Sequence, residues 1–223
     1  MQRALVIGAS GGIGAAVAEA LRARLGAGNV TTLSRRDDGL DITSEQSVRT
    51  CLSRQDGPFD LVFLATGGLA VAGHAPEKAL REVSPEALRA VFDLNALGTA
   101  LILKHAVPLL AKDRRAVFAA LSARVGSIGD NRLGGWHSYR AAKAALNQIL
   151  HGAAIELKRS HRQAICVALH PGTVATPLTR AYAGRHPTVP PEDAAQNLLK
   201  VINGLDPGAS GGFFDWAGKT IPW

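Results

Sequence analysis

Short β-branched runs alternate with longer stretches of helical period along the 223 residues. Five runs, "RALVIG", "NVTTLS", "FDLVFLAT", "AVFAALSA" and "QAICVALHPG", predict strands, and the segments between them predict helices. Because these strands are apolar almost throughout, both faces of their sheet must be covered. The pattern therefore predicts an α/β fold, a doubly wound parallel sheet, and the length predicts a single domain over residues 1–223.

The helix boundaries carry their own signals. The segment "IGAAVAEALRARLG" predicts a helix that ends at Gly26, and the run from Ser44 to Ser47 predicts a capping box that opens another. Only residues 37–40 separate "SRR" at the end of the second strand from "DIT". This connection leaves no room for a helix, and we expect the helix between strands two and three to be trimmed away.

The charge and the cysteines narrow the classes of function. Lys and Arg exceed Asp and Glu by 25 to 18, but the basic residues form short clusters without interleaved aromatics. An anionic cofactor or small-molecule substrate explains this charge better than nucleic acid does. Cys51 and Cys166 are far apart and form no disulfide or metal pattern, so we expect reduced thiols, a cytoplasmic protein and no metal site. No apolar run of about 18 residues predicts a membrane span.

The turn "VIGASGGIG" places Gly8, Gly12 and Gly14 between a predicted strand and a predicted helix. Glycine there allows a sharp turn and lets a pyrophosphate approach the backbone N–H groups at the helix start. The context of strand and helix makes this a dinucleotide-binding loop that includes Ser10 and Ile13. It also makes the sheet a Rossmann-type one.

The end of the second strand indicates which dinucleotide is bound. An acid at this place binds the ribose 2′-hydroxyl of NAD, whereas cations accommodate the 2′-phosphate of NADP. Ser34, Arg35 and Arg36 stand here and favour NADP, or NADPH in its reduced form. Asp37 and Asp38 follow directly, so NAD stays possible.

Tyr139 and Lys143 are four residues apart in a predicted helix and therefore share one face. An ammonium so placed favours phenolate and is expected to lower the pKa of the tyrosine, as proton exchange near neutral pH requires. The spacing alone is common by chance. Together with the glycine loop it indicates a catalytic pair.

The motifs taken together resemble the short-chain dehydrogenase/reductase family over essentially the whole chain. The matching elements are, in order, "GASGGIG", "DIT", "LATGG", Asn95, a serine after the next strand, Tyr139 with Lys143, and "HPGTVATP". Within the family, "SARVGSIGDN" and the tail "FFDWAGKTIPW" are most similar to the C-factor branch, close to the sniffer-type carbonyl reductases.

The resemblance implies hydride transfer between a nicotinamide and a carbonyl or alcohol carbon, with Tyr139 as acid or base. Lys143 would bind the nicotinamide ribose and tune Tyr139, and Asn95 would hold a water that links the lysine to solvent. Trp136 and the segment Thr179–Pro191 would border the substrate pocket. The family also pairs through its two long helices, here those with Asn95 and Tyr139, which implies a homodimer or homotetramer.

The resemblance also assigns further contacts to the cofactor. Asp41 and Ile42 would contact the adenine, and Ala65, Thr66 and Gly67 would let the chain pass close to the adenosine side. The loop "HPGTVATP" would seat the carboxamide. Its contacts would come from Pro171, Gly172, the Val174 backbone and the hydroxyl of Thr176 or Thr173.

The chain departs from the family at the catalytic serine. This serine usually stands three residues before a glycine, and counting back from Gly126 reaches Ala123, with Ser122 one place earlier. Adjacent strand residues point to opposite faces, so we expect a bulge to return Ser122 to the site. Ser127 is the competing candidate. The third possibility is that no serine acts.

Two functions follow from these residues. The first is an NADP-dependent oxidoreductase acting on a small carbonyl or alcohol, a carbonyl reductase or alcohol dehydrogenase. The second is a signalling or regulatory protein, similar to C-factor, that binds the cofactor with little turnover. The intact Tyr139, Lys143 and Asn95 favour the enzyme.

Overall fold

The computed structural model describes residues 1–179 and 187–223. Within these residues, six parallel strands form one sheet in the order β2-β1-β3-β4-β5-β6. The strands are β1 (Ala4–Ile7), β2 (Val30–Leu33), β3 (Leu61–Leu64), β4 (Ala116–Leu121), β5 (Ala164–His170) and β6 (Phe213–Asp215). The predicted doubly wound α/β sheet is confirmed, and the aromatic tail adds β6 at its edge.

Helices cover both faces of the sheet. The described helices are α1 (Gly12–Leu25), α2 (Arg35–Asp38), α3 (Glu45–Leu52), α4 (Pro85–Phe92), α5 (Gly98–Ala106), α6 (His137–Leu157) and α7 (Pro191–Gly204). Alternate strand residues face opposite layers: Val6 and Phe63 pack with α1 and α7, whereas Leu5 and Phe118 pack with α3, α5 and α6. All four side chains are fully buried, and truncating either phenylalanine to alanine costs about 3–5 kcal/mol in such cores.

Two predicted helix boundaries are confirmed. Helix α1 ends at Leu25, and Gly26 follows with φ +85°, a conformation that glycine adopts at little cost. Helix α3 begins after Ser44, whose hydroxyl accepts a hydrogen bond from Ser47 N at 3.4 Å. Local capping chemistry therefore sets both boundaries.

The connection from β2 to β3 differs from the expectation. "DIT" forms a turn, and the one-turn helix α2 and the eight-residue α3 lie between β2 and β3. Ser34 starts α2 directly after β2, because its Oγ accepts a hydrogen bond from Asp37 N at 3.0 Å. The expectation that the helix is trimmed away is therefore wrong: the crossover is short but helical.

Helices α4 and α5 form one continuous rod, joined by a π-helical turn at Asp93–Leu97. Within the described residues, the stretch Pro85–Leu109 is the one helix long and apolar enough by composition to cross a membrane, and 44% of its apolar window is buried. Its inner side, with Ile102 and Ala106, lies in the core beside α3 and α6. The stretch thus packs as a core helix of this fold.

Candidate active site

The carboxyl ends of β1, β3, β4 and β5 meet at one edge of the sheet, as they must in a parallel sheet. The glycine loop follows β1, "ATGG" follows β3, Ser122 and Ala123 follow β4, and "PGTVATP" follows β5. The topology therefore brings together most of the residues that the sequence singled out.

The glycine loop is closed too tightly for side chains. Gly8 has φ +88°, and a Cβ on Gly14 would lie 2.2 Å from the Gly8 carbonyl oxygen. A Cβ on Gly12 would lie 2.9 Å from Thr176 Cγ2, so the loop after β5 reaches over the glycine loop. In the part of the chain that the structure describes, no side chain caps the start of α1 at Gly11, which leaves its first N–H groups available to an anion.

The far side of the loop opens onto a groove of about 760 Å³ that runs from Gly12 along α1 to Arg36. Ser10 and Arg35 are exposed, and Ile13 packs partly into the core beneath the loop. Arg36 Nε donates to Asp37 Oδ1 at 3.0 Å, and both side chains are mostly exposed. The two arginines predicted to meet a 2′-phosphate are therefore both exposed after β2, and one of them, Arg36, is hydrogen-bonded to Asp37.

The turn after β3 forms the floor beside the glycine loop. Ala65 lies so close that a Cβ on Gly8 would meet its carbonyl carbon at 2.9 Å. The Thr66 hydroxyl is buried and has no hydrogen-bond partner among the described residues, and Gly67 has φ +146°. A Cβ at Gly67 would lie 2.9 Å from Asn95 Oδ1 and 3.2 Å from Lys143 Nζ. This glycine-lined floor and its unpaired hydroxyl fit a dinucleotide.

Of the two predicted adenine contacts, the Asp41 side chain is exposed and the Ile42 side chain is buried. Asp41 is exposed, and its Oδ1 accepts from Thr43 N at 3.0 Å and Thr43 Oγ1 at 2.7 Å. These hydrogen bonds lower the pKa of the Asp41 carboxyl. Ile42 is 5% exposed and packs against Gly98, where an added Cβ would meet its Cδ1 at 2.7 Å. The Ile42 side chain is therefore part of the core.

The loop after β5 contains the predicted carboxamide seat. Pro171 leads into Gly172, which has φ +79° and lies against Trp216, because a Cβ there would meet Trp216 Cδ1 at 3.1 Å. Val174 is buried and forms a bridge with Val189. Of the predicted pocket segment Thr179–Pro191, residues 180–186 lie outside the described residues. No motif in the sequence singles out Trp216 as a neighbour of this loop.

Tyr139 and Lys143 are both buried on one face of α6, as their spacing predicts. Lys143 Nζ lies 5.8 Å from the centroid of the Tyr139 ring and donates to Leu121 O at 3.0 Å. Burial raises the pKa of Tyr139 and lowers the pKa of Lys143 to about 7. The expected lowering of the tyrosine pKa is thus wrong for this structure, because burial of the phenol favours its neutral form.

The buried Lys143 makes a testable contribution to stability. The unfolded lysine has a pKa near 10.5 and the folded one about 7, so between these values the unfolded state binds more protons and the free energy of unfolding rises with pH. Relative to Lys143→Met, the native protein should gain stability over this range with a slope approaching about 1.4 kcal/mol per pH unit. Urea titrations across this range measure the slope. Lys158→Met, at an exposed lysine beyond the end of α6, is the control, and its difference in stability from the native protein should not change with pH. A native-minus-variant difference that is as flat with pH for Lys143→Met as for Lys158→Met would contradict the expectation.

Asn95 lies in the π-helical turn and is 1% exposed. Its Nδ2 donates to Gly68 O and Val91 O, both at 2.9 Å, and its Oδ1 accepts from Gly68 N at 3.2 Å. The side chain therefore fastens the turn after β3 to the long helix. Its predicted part in holding a water stays a prediction.

The structure does not bring the Ser122 hydroxyl to Tyr139. Ser122 N donates to Leu169 O at 2.8 Å, and Ala123 has φ −143° and ψ +143°, so the backbone runs extended past the end of β4. The prediction of a bulge at this strand end is therefore wrong. Side chains alternate along the extended chain, so Ser122 points towards α6, where its Oγ donates a hydrogen bond to Asn147 Oδ1 at 2.6 Å. Ala123 instead packs in the apolar cluster around Tyr139.

Ser127, the competing candidate, and Ser138, which directly precedes Tyr139, also have partners elsewhere. Ser127 Oγ donates to Pro222 O at 2.5 Å and accepts from Asp130 N at 3.0 Å. The Ser138 hydroxyl donates to the buried carboxylate of Glu77. The geometry therefore favours the third possibility, that Tyr139 acts without a serine.

A pair of variants separates these roles. Ser122→Ala removes the donor to Asn147 Oδ1 and should cost about 1–3 kcal/mol of unfolding free energy while turnover stays near native. Ala123→Ser places a hydroxyl in the Tyr139 cluster and should raise turnover about tenfold or more. Urea unfolding and NADPH oxidation measure the two effects. A loss of about 100-fold in turnover for Ser122→Ala, with Ser127→Ala near native, would instead assign the substrate contact to Ser122.

Comparison with known proteins defines the class. Residues 8–203 match the family described as enoyl-(acyl carrier protein) reductase. The chain is 32% identical to the 1-hydroxy-2-glutathionyl-2-methyl-3-butene dehydrogenase of a Rhodococcus species, over the whole of both chains. The chain belongs to the short-chain dehydrogenase/reductase family, as its motifs predicted, and is an oxidoreductase of that family.

Two further proteins are similar to it. The C-signal protein of Myxococcus xanthus is 34% identical over 145 residues, which cover 65% of this chain and 84% of that protein. An NADPH-bound carbonyl reductase from chicken fatty liver has the same fold, with a TM-score of 0.82 and 22% identity over 100% of this chain and 99% of its own. The resemblance to the C-factor branch is confirmed.

Proposed function

We propose that this oxidoreductase is an NADP-dependent carbonyl reductase or alcohol dehydrogenase in which Tyr139 exchanges the proton with the substrate oxygen. The observation that carries the proposal is the placement of Tyr139 and Lys143 beside Gly67, at the sheet edge that also holds the glycine loop. One site thus combines a proton donor, a buried cation and a floor open to a flat ligand.

The protein residues supply the proton and the orientation in this reaction. When bound, the nicotinamide provides or accepts the hydride. Burial raises the pKa of Tyr139, so its phenol keeps the proton at neutral pH and can donate it to a carbonyl oxygen that gains negative charge. Lys143 is held at Leu121 O beside the ring, where a pKa of about 7 lets it change charge in the working range.

NADP is the proposed cofactor because Arg35 and Arg36 stand directly after β2, with Arg36 on the groove that leads to the glycine loop. The solved chicken carbonyl reductase of the same fold binds NADPH. NAD remains the second candidate, because Asp37 engages Arg36 at 3.0 Å and stands close to where a 2′-hydroxyl acceptor is needed.

The substrate proposed is a small or medium-sized carbonyl compound or alcohol with an apolar body. Tyr139 lies among apolar side chains, which form the nearest surface for such a body. They are Leu69, Val71, Val91, Ala123, Val125, Trp136 and Ala142.

The proposed setting is a cytoplasmic homodimer or homotetramer. Pairing would use the two long helices, where Phe92 and Leu97 are 38% and 43% exposed and Ile155 on α6 is 52% exposed. Sedimentation of the purified protein measures the oligomeric state.

A signalling protein with little turnover is the second candidate. The identity with C-signal supports it, and so does Ala123, which stands where the family has its serine. Both candidates use the same cofactor site, so binding of NADPH alone does not separate them.

Turnover separates the two candidates. The purified protein is incubated with NADPH and a panel of aldehydes and ketones that ranges from aliphatic to aromatic, and the NADPH absorbance is followed. If the protein is an enzyme of this kind, we expect saturable oxidation of NADPH with at least one carbonyl compound of the panel. NADPH binding without oxidation across the panel would favour the signalling protein.

A further inference from the structure

The carboxylate of Glu77 lies in the long connection between β3 and α4 and is 4% exposed. It reaches the first turn of α6, 61 residues further along the chain. There Oε1 accepts from the Ser138 hydroxyl and Oε2 accepts from Ser138 N at 3.2 Å. Burial alone would raise the pKa of Glu77, but the hydrogen bonds from Ser138 and the backbone and the nearby His137 outweigh it, so the pKa of this carboxyl lies below its ordinary value.

This carboxylate replaces a missing helix cap. The N-cap residue of α6 is Trp136, whose indole N–H is a donor and cannot accept from the first N–H groups of the helix, which need acceptors. An acidic residue near the start of a helix is also favoured by the helix dipole. Glu77, from a distant part of the chain, supplies both the hydrogen-bond acceptor and the negative charge at the start of α6.

Glu77 also holds a strained turn. Gly134, Gly135 and Trp136 have φ of +63°, +64° and +51°, and tryptophan rarely adopts such a value. Trp136 N donates to Glu77 O at 2.5 Å, and Arg140 Nε donates to Gly135 O at 2.9 Å. Strain of this kind persists only where surrounding contacts enforce it, and it concentrates at functional sites.

The strained turn lies directly before Tyr139 and contacts its ring. Tyr139 directly follows Ser138, and the Trp136 and Tyr139 rings meet edge to face with centroids 6.4 Å apart. We propose that Glu77 is a positioning residue, which clamps the start of α6 and so sets the place of the Tyr139 hydroxyl. The inference rests on the proposed function of Tyr139 and adds a residue that touches neither substrate nor cofactor.

A second buried carboxylate provides the matched control. Asp60 is 3% exposed, accepts from Gln2 N and Arg3 N, and pairs with Arg114 at 2.7 Å. It precedes β3 and therefore lies at the amino edge of the sheet, opposite the site. Asp60→Asn thus removes a comparable buried charge without touching α6.

The experiment compares Glu77→Ala, Glu77→Gln, Ser138→Ala and Asp60→Asn with the native protein. Turnover and KM are measured with NADPH and a carbonyl, together with NADPH affinity and urea unfolding. A displacement near 1 Å costs about 100-fold in rate, so kcat of Glu77→Ala should fall about 10- to 100-fold with NADPH affinity unchanged. Glu77→Gln keeps an acceptor for Ser138 N and should restore most of the rate, whereas Asp60→Asn should lose stability alone.

A spectroscopic measurement reports the ring itself. The chain has two tyrosines, so fluorotyrosine labelling gives two fluorine NMR signals, and Tyr139→Phe assigns one of them. The Tyr139 signal should shift or broaden in Glu77→Ala and Ser138→Ala and stay native in Asp60→Asn. An unchanged Tyr139 signal in folded Glu77→Ala or Ser138→Ala would overturn the proposal, and so would native kcat in these variants. If the native protein oxidises no NADPH, the proposed function fails, and the fluorine signal still decides the role of Glu77.

Discussion

Replacing Tyr139 by phenylalanine should lower turnover by about 100- to 10,000-fold, the range that a positioned general acid contributes. The substitution removes the hydroxyl and leaves the ring, whose neighbours Leu69, Val91 and Ala142 pack against carbon atoms. NADPH affinity and the urea midpoint should therefore stay close to native. Initial rates at saturating NADPH measure the loss of turnover, and fluorescence titration with NADPH measures the cofactor affinity.

The control for this variant is Phe118→Leu, which changes a fully buried aromatic ring on β4 away from Tyr139. It should lower stability and leave turnover per folded molecule near native. If Tyr139→Phe keeps more than about a third of native turnover, Tyr139 is structural and the proton has another source.

Replacing Arg35 and Arg36 together by alanine should weaken NADPH binding about 10- to 1,000-fold, with each tenfold step worth about 1.4 kcal/mol. NADH binding should change little, because it lacks the 2′-phosphate that the guanidiniums match. Asp37→Asn should act in the opposite direction and tighten NADPH, because it frees Arg36 from its 3.0 Å contact. Calorimetric titration with both cofactors measures all three effects.

The matched control removes the same charge elsewhere. Arg159 and Arg162 are exposed beyond the carboxyl end of α6, at the edge of the sheet opposite the site. Their double alanine variant should keep native NADPH affinity, which excludes an effect of net charge alone. Equal affinity of the native protein for NADPH and NADH would contradict the assignment.

Local chemistry made part of this molecule predictable from its sequence. Gly26 ends α1 and Ser44 opens α3 because each acts within its own turn of chain. The glycine loop was predictable for the same reason, since Gly8 and Gly14 crowd each other within seven residues. The crossover from β2 to β3 shows the limit of this reasoning: the short connection predicted no helix, but Ser34 caps Asp37 N and starts a helical turn, and α3 follows before β3.

Contacts between distant residues were the part that the sequence did not reveal. Ser122 turns to Asn147, 25 residues away, and the sequence offers no sign that this asparagine takes the hydroxyl. Glu77 and Ser138 are separated by 61 residues and meet only because the connection after β3 folds over the start of α6. The prediction of a lowered pKa for Tyr139 failed for a related reason, because the sequence spacing gives the distance to Lys143 but not how deeply the phenol is buried.

The tail from Phe213 to Trp223 has a consequence for synthesis. Its strand β6 pairs with β5 through Ala168, Leu169 and His170, and its last residues accept hydrogen bonds from Ser127 and Gly129. A ribosome makes this tail after everything else described here, so the nascent chain presents the apolar strand β5 with an open edge until residue 213 has emerged. Open apolar edges recruit other strands, and we therefore expect chains shortened before residue 213 to aggregate rather than to persist as inactive monomers.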